Sequence, residues 1–427
     1  MMEREGKKIF LICAEKSGNN IIHQVLNRID KEILKNTELY GVVDDEIAMK
    51  YNIKQIFSPE KLAVLGIGDI ITKIPSLLDK ISYTASKILN IKPDIVISVD
   101  AYDFCIRVAK IVKKSNNKIK LWHIVAPSVW AYWSGRSKTL SKYYNHLFYF
   151  LPFEKPYFKK YEHLGENEFL TTFIGYPATF SNNINKEEDG YNIERDKNLI
   201  GITIGSRVSE INRHISIISK TIMLLKIANK DYQFAILATK DTAEYIRNYF
   251  KKYRNIVIID DDNEKKETIK KCVLIIAKSG TNNIEIGSIG TPMITYYKTS
   301  PLTYFFAKLF SKTKLINLFN ITLGKMAIPE LVQKKLTPEN LAKTAFYLIN
   351  NDEERKKQVD NIKIAINQMQ REDKKYPLDI VADNIKQFII GDCLNKNNDI
   401  EFDNNKKNDF KTTIVKKNNV IQKDDRK

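Results

Sequence analysis

The chain has 427 residues, 43% of them hydrophobic and 28% charged, with a formal net charge of +18; that length exceeds one ordinary core and predicts two globular domains. No apolar run approaches the ~20 residues a membrane helix needs, and the opening MMEREGKKIFLICAE runs from charge straight into a strand, without the apolar stretch of a signal peptide, so the cytosol is expected. The four cysteines (Cys13, Cys105, Cys272, Cys393) are scattered with no CxxC spacing, which argues against a zinc site and a disulfide scaffold. Much of the positive excess follows a general preference for Lys, Asn and Ile. A basic surface still favours anionic membranes and phosphorylated ligands, and no helix-turn-helix, zinc-finger or RNP pattern points to nucleic acid.

Residues 8–13 (KIFLIC) form a first expected strand. The turn Ala14 to Asn19 follows, with a helix from about Asn20. Ser17 and Gly18 in that turn offer a place for a polar ligand at a helix start; close helix–strand packing explains the glycine equally well. Residues 38–43 read as a strand. Residues 58–90 read as helix with breaks at Gly66, Gly68 and Pro75, and the apolar stretch Leu62 to Leu78 is either buried or membrane-facing.

Asp94 to Val99 (DIVISV) is a buried strand whose carboxyl end carries Asp100 and Asp103. Ligands of open α/β sheets bind beyond such ends, and a carboxylate there suits proton abstraction from a hydroxyl. Asp100, at the strand tip, is the candidate base. Asp103 reads as a cap for the helix Phe104 to Val112 or as a second functional acid. The segment LWHIVAPSVWAYWSGRSKTL (121–140) holds all three tryptophans, Trp122, Trp130 and Trp133. Such rings in a loop need a packing partner. With Ser128, Trp130 and Arg136, the loop reads as a surface for a sugar face or an acyl chain, or as a rigid interdomain plug. A strand at 145–150, the turn LPFEKP and TTFIGYP (171–177) complete the first domain, residues 1–180. Polar, turn-rich residues 181–197 read as a linker.

The rhythm restarts in residues 198–350. A strand at Leu199 to Ile204 enters Gly205, Ser206 and Arg207, where glycine admits a ligand close to backbone and arginine offers a fork matched to phosphate oxygens. A helix follows with Ile211, Ile215, Ile218, Ile222 and Leu225 at helical spacing. Strands at 233–238 and 255–259 lead to CVLIIAKSGTNNIEIGSIGTPMITYYK (272–298): a strand, a turn with Ser279, Gly280 and Thr281, a short helix and a further strand. The amides after Gly280 suit a phosphate, and Glu285, one turn in, suits ribose hydroxyls. The alternative is an ordinary βα unit. The fold class is therefore α/β: two doubly wound Rossmann-like domains facing a cleft. The helix at 300–315, aromatic and flanked by lysines, reads as interfacial or as core. NITLGKMAIPELVQ (320–333) reads as a loop leading to a helix. Residues 351–392 are a helical segment, and 393–427 read as a disordered tail.

Taken in order, SVDAYDF (98–104), APSVWAYWSGR (126–136), LPFEKPYF (151–158), IGYP (174–177), GSRVSEI (205–211), SGTNNIE (279–285), GTPMITYYKTSPLTY (290–304) and IPELVQKKLTPENLA (328–342) resemble the lipid A disaccharide synthases, inverting glycosyltransferases of the GT-B type. The resemblance implies that UDP-2,3-diacylglucosamine is joined to 2,3-diacylglucosamine 1-phosphate (lipid X), with loss of UDP. It implies Asp100 as general base, and UDP held by Gly205, Ser206, Arg207, Ser279, Gly280, Thr281 and Glu285 with Asn320 and Glu330. The acceptor lipid would meet Ser17, Gly18, Asp103, Ser128, Trp130 and Arg136. Neither a metal nor an organic cofactor is implied. The expected location is the cytoplasmic face of the inner membrane, held peripherally. The segment 351–392 would cross to the other domain or to the partner subunit of a homodimer. Asn19, Val42, Tyr176 and Met326 stand where the family pattern has an acid, a glycine, a histidine and a glutamate, so an eroded acceptor side is a further expectation. Other readings are a different UDP-sugar enzyme, such as an epimerase or a soluble-acceptor transferase, and a non-catalytic nucleotide- or lipid-binding relative.

Overall fold

A computed structural model describes residues 6–60, 70–131, 133–163, 168–180, 194–300 and 313–391. Most of the linker, most of the helix expected at 300–315, part of the apolar stretch Leu62 to Leu78 and the expected tail lie outside the described residues.

The chain builds two parallel sheets. The first contains β1 (Lys7–Ile12), β2 (Thr37–Val42), β3 (Lys54–Phe57), β4 (Ile95–Val99), β5 (Lys120–Ile124), β6 (His146–Tyr149) and β7 (Leu170–Phe173), in the order β3-β2-β1-β4-β5-β6-β7. The second contains β8 (Asp196–Thr203), β9 (Gln233–Leu237), β10 (Ile256–Ile259), β11 (Cys272–Lys278), β12 (Met293–Tyr297) and β13 (Glu330–Val332), in the order β10-β9-β8-β11-β12-β13. Central strands are apolar throughout: all five residues of β4 are buried, as are Cys272 to Ala277 of β11. Such strands require helices on both faces.

Each sheet grows outward in both directions from its first strand. The strand order therefore reverses between β1 and β4, where Ile9 pairs with Ile95, and between β8 and β11, where Gly201 pairs with Ile275. At such reversals the flanking loops part and leave a crevice at the carboxyl ends of the strands.

Two edge strands, β3 and β13, were not anticipated. The first (KQIF) is mostly exposed and the second has only three residues, so neither carries a buried apolar run. Trp122 also departs from expectation. It belongs to β5 and is buried, with its ring edge-on to His146 and Phe148 at 5.4 and 5.7 Å between centroids.

Both sheets lie within one compact unit, residues 1–382. A core beneath the second sheet, containing Ile284, Phe319, Ile362 and Met369, also takes Leu151, Phe153 and Tyr176 from the far end of the first. The helix Asp352–Met369 docks on the second sheet, where the Gln358 amide both accepts from Met293 N–H (2.6 Å) and donates to its carbonyl (3.0 Å). The chain then returns to the first half. Gln370 donates to the Thr179 carbonyl, Arg371 donates to the Phe173 carbonyl, Tyr376 donates to Gln24, and Asp379 pairs with Arg28 at 2.6 Å.

Candidate active site

At the reversal of the first sheet, β4 ends on Val99 and the chain turns through Asp100 and Ala101, both left-handed (φ 56° and 43°). An alanine there costs roughly 1 kcal/mol or more. The turn is fixed from both sides. Asp100 N–H donates to the Ile124 carbonyl (3.0 Å), and the Ala101 carbonyl accepts from the amides of Phe104 and Cys105. One strand over, Val125 is left-handed too (φ 79°). Strain of this kind persists where the surroundings over-determine it, and it gathers at functional sites.

The helix Lys16–Leu26 starts before Asn20, which places Ser17 and Gly18 inside its first turn. A Cβ on Gly18 would lie 2.7 Å from the Val99 carbonyl oxygen, so glycine lets the helix press against the end of β4. Ser17 Oγ donates to Asp100 Oδ2 at 2.6 Å. The departure at Asn19 has a physical reason. Its amide donates to the carbonyls of Cys13 and Glu15, and its oxygen accepts from Asp44 N–H. An aspartate could not make the two donations.

Glu15, which precedes this helix, was not singled out from the sequence. Burial and the charge of Asp100 push its carboxyl above the usual range, while the charge of Arg207 acts in the opposite sense. Glu15 thus stands within electrostatic reach of both sheets' reversal points. The available signal was its place in the turn between β1 and a helix start.

Asp103 does not cap its helix. The helix Tyr102–Ser115 begins one residue earlier, without a side-chain cap, and Asp103 instead accepts from Arg136 Nη2 with both carboxylate oxygens at 2.9 Å. Arg136 also stacks on Trp133 and Tyr102, its guanidinium carbon 4.5 and 5.0 Å from the ring centroids. Trp130 packs edge-on against Phe153 at 5.2 Å. Ser128 and Trp133 are exposed. Trp130 is therefore a packed ring, whereas Trp133 is exposed with Arg136 stacked on it.

On the second sheet, β8 runs into Gly205 (φ 146°), where a Cβ would meet Glu210 Oε2 at 2.9 Å. Ser206 and Arg207 are exposed, and Arg207 is the N-cap residue of the 21-residue helix Val208–Ala228. From the neighbouring β11 come Ser279, Gly280 and Thr281, followed by the seven-residue helix Asn282–Ser288. The longer helix aligns more peptide dipoles, so the Arg207 end is the stronger attractor for an anion. The two loops are tied together. Thr203 Oγ1 accepts from Lys278 N–H (3.1 Å) and from the Asn282 amide (2.9 Å), and Lys278 Nζ meets Glu210 Oε1 at 2.9 Å. Burial would raise the Glu210 carboxyl, but Lys278 holds it below its usual value. Glu285 is half-buried, and no hydrogen bond or ion pair engages its carboxylate among the described residues.

Asn320 and Glu330 direct their hydrogen bonds into their own loop. Asn320 is fully buried. Its amide donates to the Ile328 carbonyl and to Glu330, and its oxygen accepts from the amides of Ala327 and Ile328. Glu330 also accepts from Ile316 and Asn317 N–H. These side chains shape the loop from Ile316 to Glu330, on which the Ser279 hydroxyl leans through the Ile316 carbonyl. Four bonds exhaust the Asn320 amide, so it has none left for a ligand. A surface concavity lined by Asn198, Gln233, Lys226 and Arg254 lies at the amino ends of β8 and β9, away from these loops.

The model of the lipid-A-disaccharide synthetase family matches residues 9–382, spanning both reversal points. The chain belongs to that family. The lipid-A-disaccharide synthase of Rickettsia prowazekii is 32% identical over 397 residues, covering 90% of this chain and 100% of the relative. That of Rhodospirillum centenum is 28% identical over 361 residues, covering 83% and 88%. Among solved structures, a putative UDP-N-acetylglucosamine 2-epimerase from Listeria monocytogenes superposes with a TM-score of 0.56 at 13% identity, covering 90% of this chain and 97% of that one. MurG of Acinetobacter baumannii gives 0.51 at 11%, covering 90% and 99%. These two share the two-sheet GT-B architecture with this chain, and nothing more follows from them. The activity is that of a glycosyltransferase forming the lipid A disaccharide. The epimerase and binding-protein readings are not favoured.

Proposed function

We propose that the chain transfers the sugar of UDP-2,3-diacylglucosamine, with inversion, to lipid X. Asp100 removes the proton from the acceptor hydroxyl, that oxygen attacks the anomeric carbon, and the bond to UDP breaks. Ser206, Arg207 and the amides of the Ser279–Thr281 turn hold the diphosphate, where fixed donors and a guanidinium stabilise the departing charge. Glu285 accepts from the ribose hydroxyls. What supports this reading is that Asp100 stands at the carboxyl end of β4, where the order of the first sheet reverses, while Ser206 and Arg207 follow the carboxyl end of β8, where that of the second reverses.

The acceptor lies over Trp133 and the exposed Ser128, with Arg136 supporting the Trp133 ring. Two acylated substrates and a net charge of +18 favour peripheral attachment to the cytoplasmic face of an anionic inner membrane. No helix among the described residues is long and apolar enough to cross a bilayer. Residues 370–379 return to the first sheet of the same chain.

The deciding experiment mixes purified protein with both lipid precursors and identifies products by mass spectrometry. A disaccharide 1-phosphate plus UDP is expected from the wild type and not from Asp100→Asn. Disaccharide at the wild-type rate from Asp100→Asn would remove the base from the scheme. The same assay tests the eroded acceptor side. A rate matching that of the Rickettsia prowazekii relative would discard erosion.

A further inference from the structure

Asp100 has a rival. Glu15 is a second carboxylate near the same reversal point, in the turn between β1 and the helix that carries Ser17. A base must also be held at one angle to be useful, because a misplacement of an ångström at the reacting atoms is costly. Asp100 sits on a two-residue left-handed turn whose backbone is fixed by Ile124 and by the following helix. Its carboxylate is only partly shielded, so the backbone alone does not choose its rotamer.

Ser17 supplies that choice. It lies in the first turn of an 11-residue helix, which Gly18 brings into contact with the Val99 carbonyl, one residue before Asp100. The hydroxyl is thereby attached to the same rigid assembly as the base. Its 2.6 Å bond falls on Oδ2 alone, within the short range of hydrogen bonds to an ionised acceptor. Oδ1 receives no hydrogen bond from the described residues.

We propose that Ser17 is a positioning residue for Asp100: it holds Oδ2, fixes the carboxylate plane, and reserves Oδ1 for the acceptor hydroxyl. This differs from contact with the acceptor lipid, the role expected of Ser17 from sequence. It rests on Asp100 being the base. No hydrogen-bond donor among the described residues holds the Glu15 carboxylate, so the serine also distinguishes the two acids.

The test is steady-state kinetics of Ser17→Ala and Ser17→Thr in the full chain with both lipid precursors. Ser17→Ala should lower kcat about 10-fold or more while leaving KM for donor and acceptor within about twofold, because a bond that orients the base acts on the chemical step. Ser17→Thr keeps the hydroxyl at an exposed position and should restore kcat to within about threefold of wild type. A wild-type kcat for Ser17→Ala overturns the inference. So does a raised acceptor KM at unchanged kcat, which would make Ser17 a ligand of the lipid, and so do equal losses for the two variants. Asp100→Asn run alongside separates the layers. If it retains turnover, the base assignment fails. If it is inactive while Ser17→Ala is normal, only the role of Ser17 fails.

Discussion

Lys278 and Glu210 meet at 2.9 Å, with side chains 14% and 18% exposed, and their ion pair clamps the loop after β8 to the loop after β11. Removing one partner of a shielded pair leaves the other charge without compensation. Lys278→Met should therefore lower stability by about 2 kcal/mol and weaken UDP binding about 10-fold. Calorimetric titration with UDP and a thermal melt give both numbers. UDP binding at wild-type strength would show that the clamp does not shape the cradle.

Arg207 is exposed at the cap of the longest helix of the second half, free to present its guanidinium to a ligand. Arg207→Lys keeps the charge but loses the planar fork, so kcat/KM for the UDP-sugar donor should fall about 10-fold at unchanged melting temperature. Arg207→Ala should fall further. Equal activities for the arginine and lysine forms would mean that only net charge matters there.

Asn320 makes four hydrogen bonds within its own loop. Asn320→Ala leaves several buried partners unsatisfied and should cost roughly 2–4 kcal/mol. Amides from Ile316 to Glu330 should then exchange hydrogen faster. Lost UDP affinity with unaltered stability and exchange would instead restore Asn320 to direct contact with the nucleotide.

Glu154 is buried in the LPFEKP turn, and burial pushes its carboxyl up to about 8. A carboxyl raised in the folded state binds more protons there than in the unfolded chain, so its contribution to stability is complete below about pH 4.5 and is lost as pH rises through about 8. The fall between these limits is on the order of a few kcal/mol. Glu154→Gln cannot ionise but retains an acceptor for Leu151 N–H, and it should flatten the decline in melting temperature between pH 5 and 8. Parallel wild-type and variant curves would exclude Glu154 as the source.

The sheets were largely legible because β4, β8 and β11 are continuous apolar runs closed by polar turns, a pattern that fixes both their type and the end at which ligands gather. Residues at those ends were found for the same reason: Asp100, Arg207 and the Ser279 turn. The structure reassigned residues whose role depends on distant chain. Asp103 turned from helix cap to partner of Arg136, 33 positions away. Spacing could not reveal that Asn320 and Glu330 bond to each other, from a short helix to the start of β13. Glu15 passed unnoticed because the charge that most affects its carboxyl, that of Asp100, comes from a strand 85 positions on.

The return of residues 370–379 to the first sheet means that one carboxyl-terminal stretch is bonded to both halves, through Gln358 to Met293 of β12 and through Gln370, Arg371 and Asp379 to Thr179, Phe173 and Arg28, so it straps the second sheet to the first.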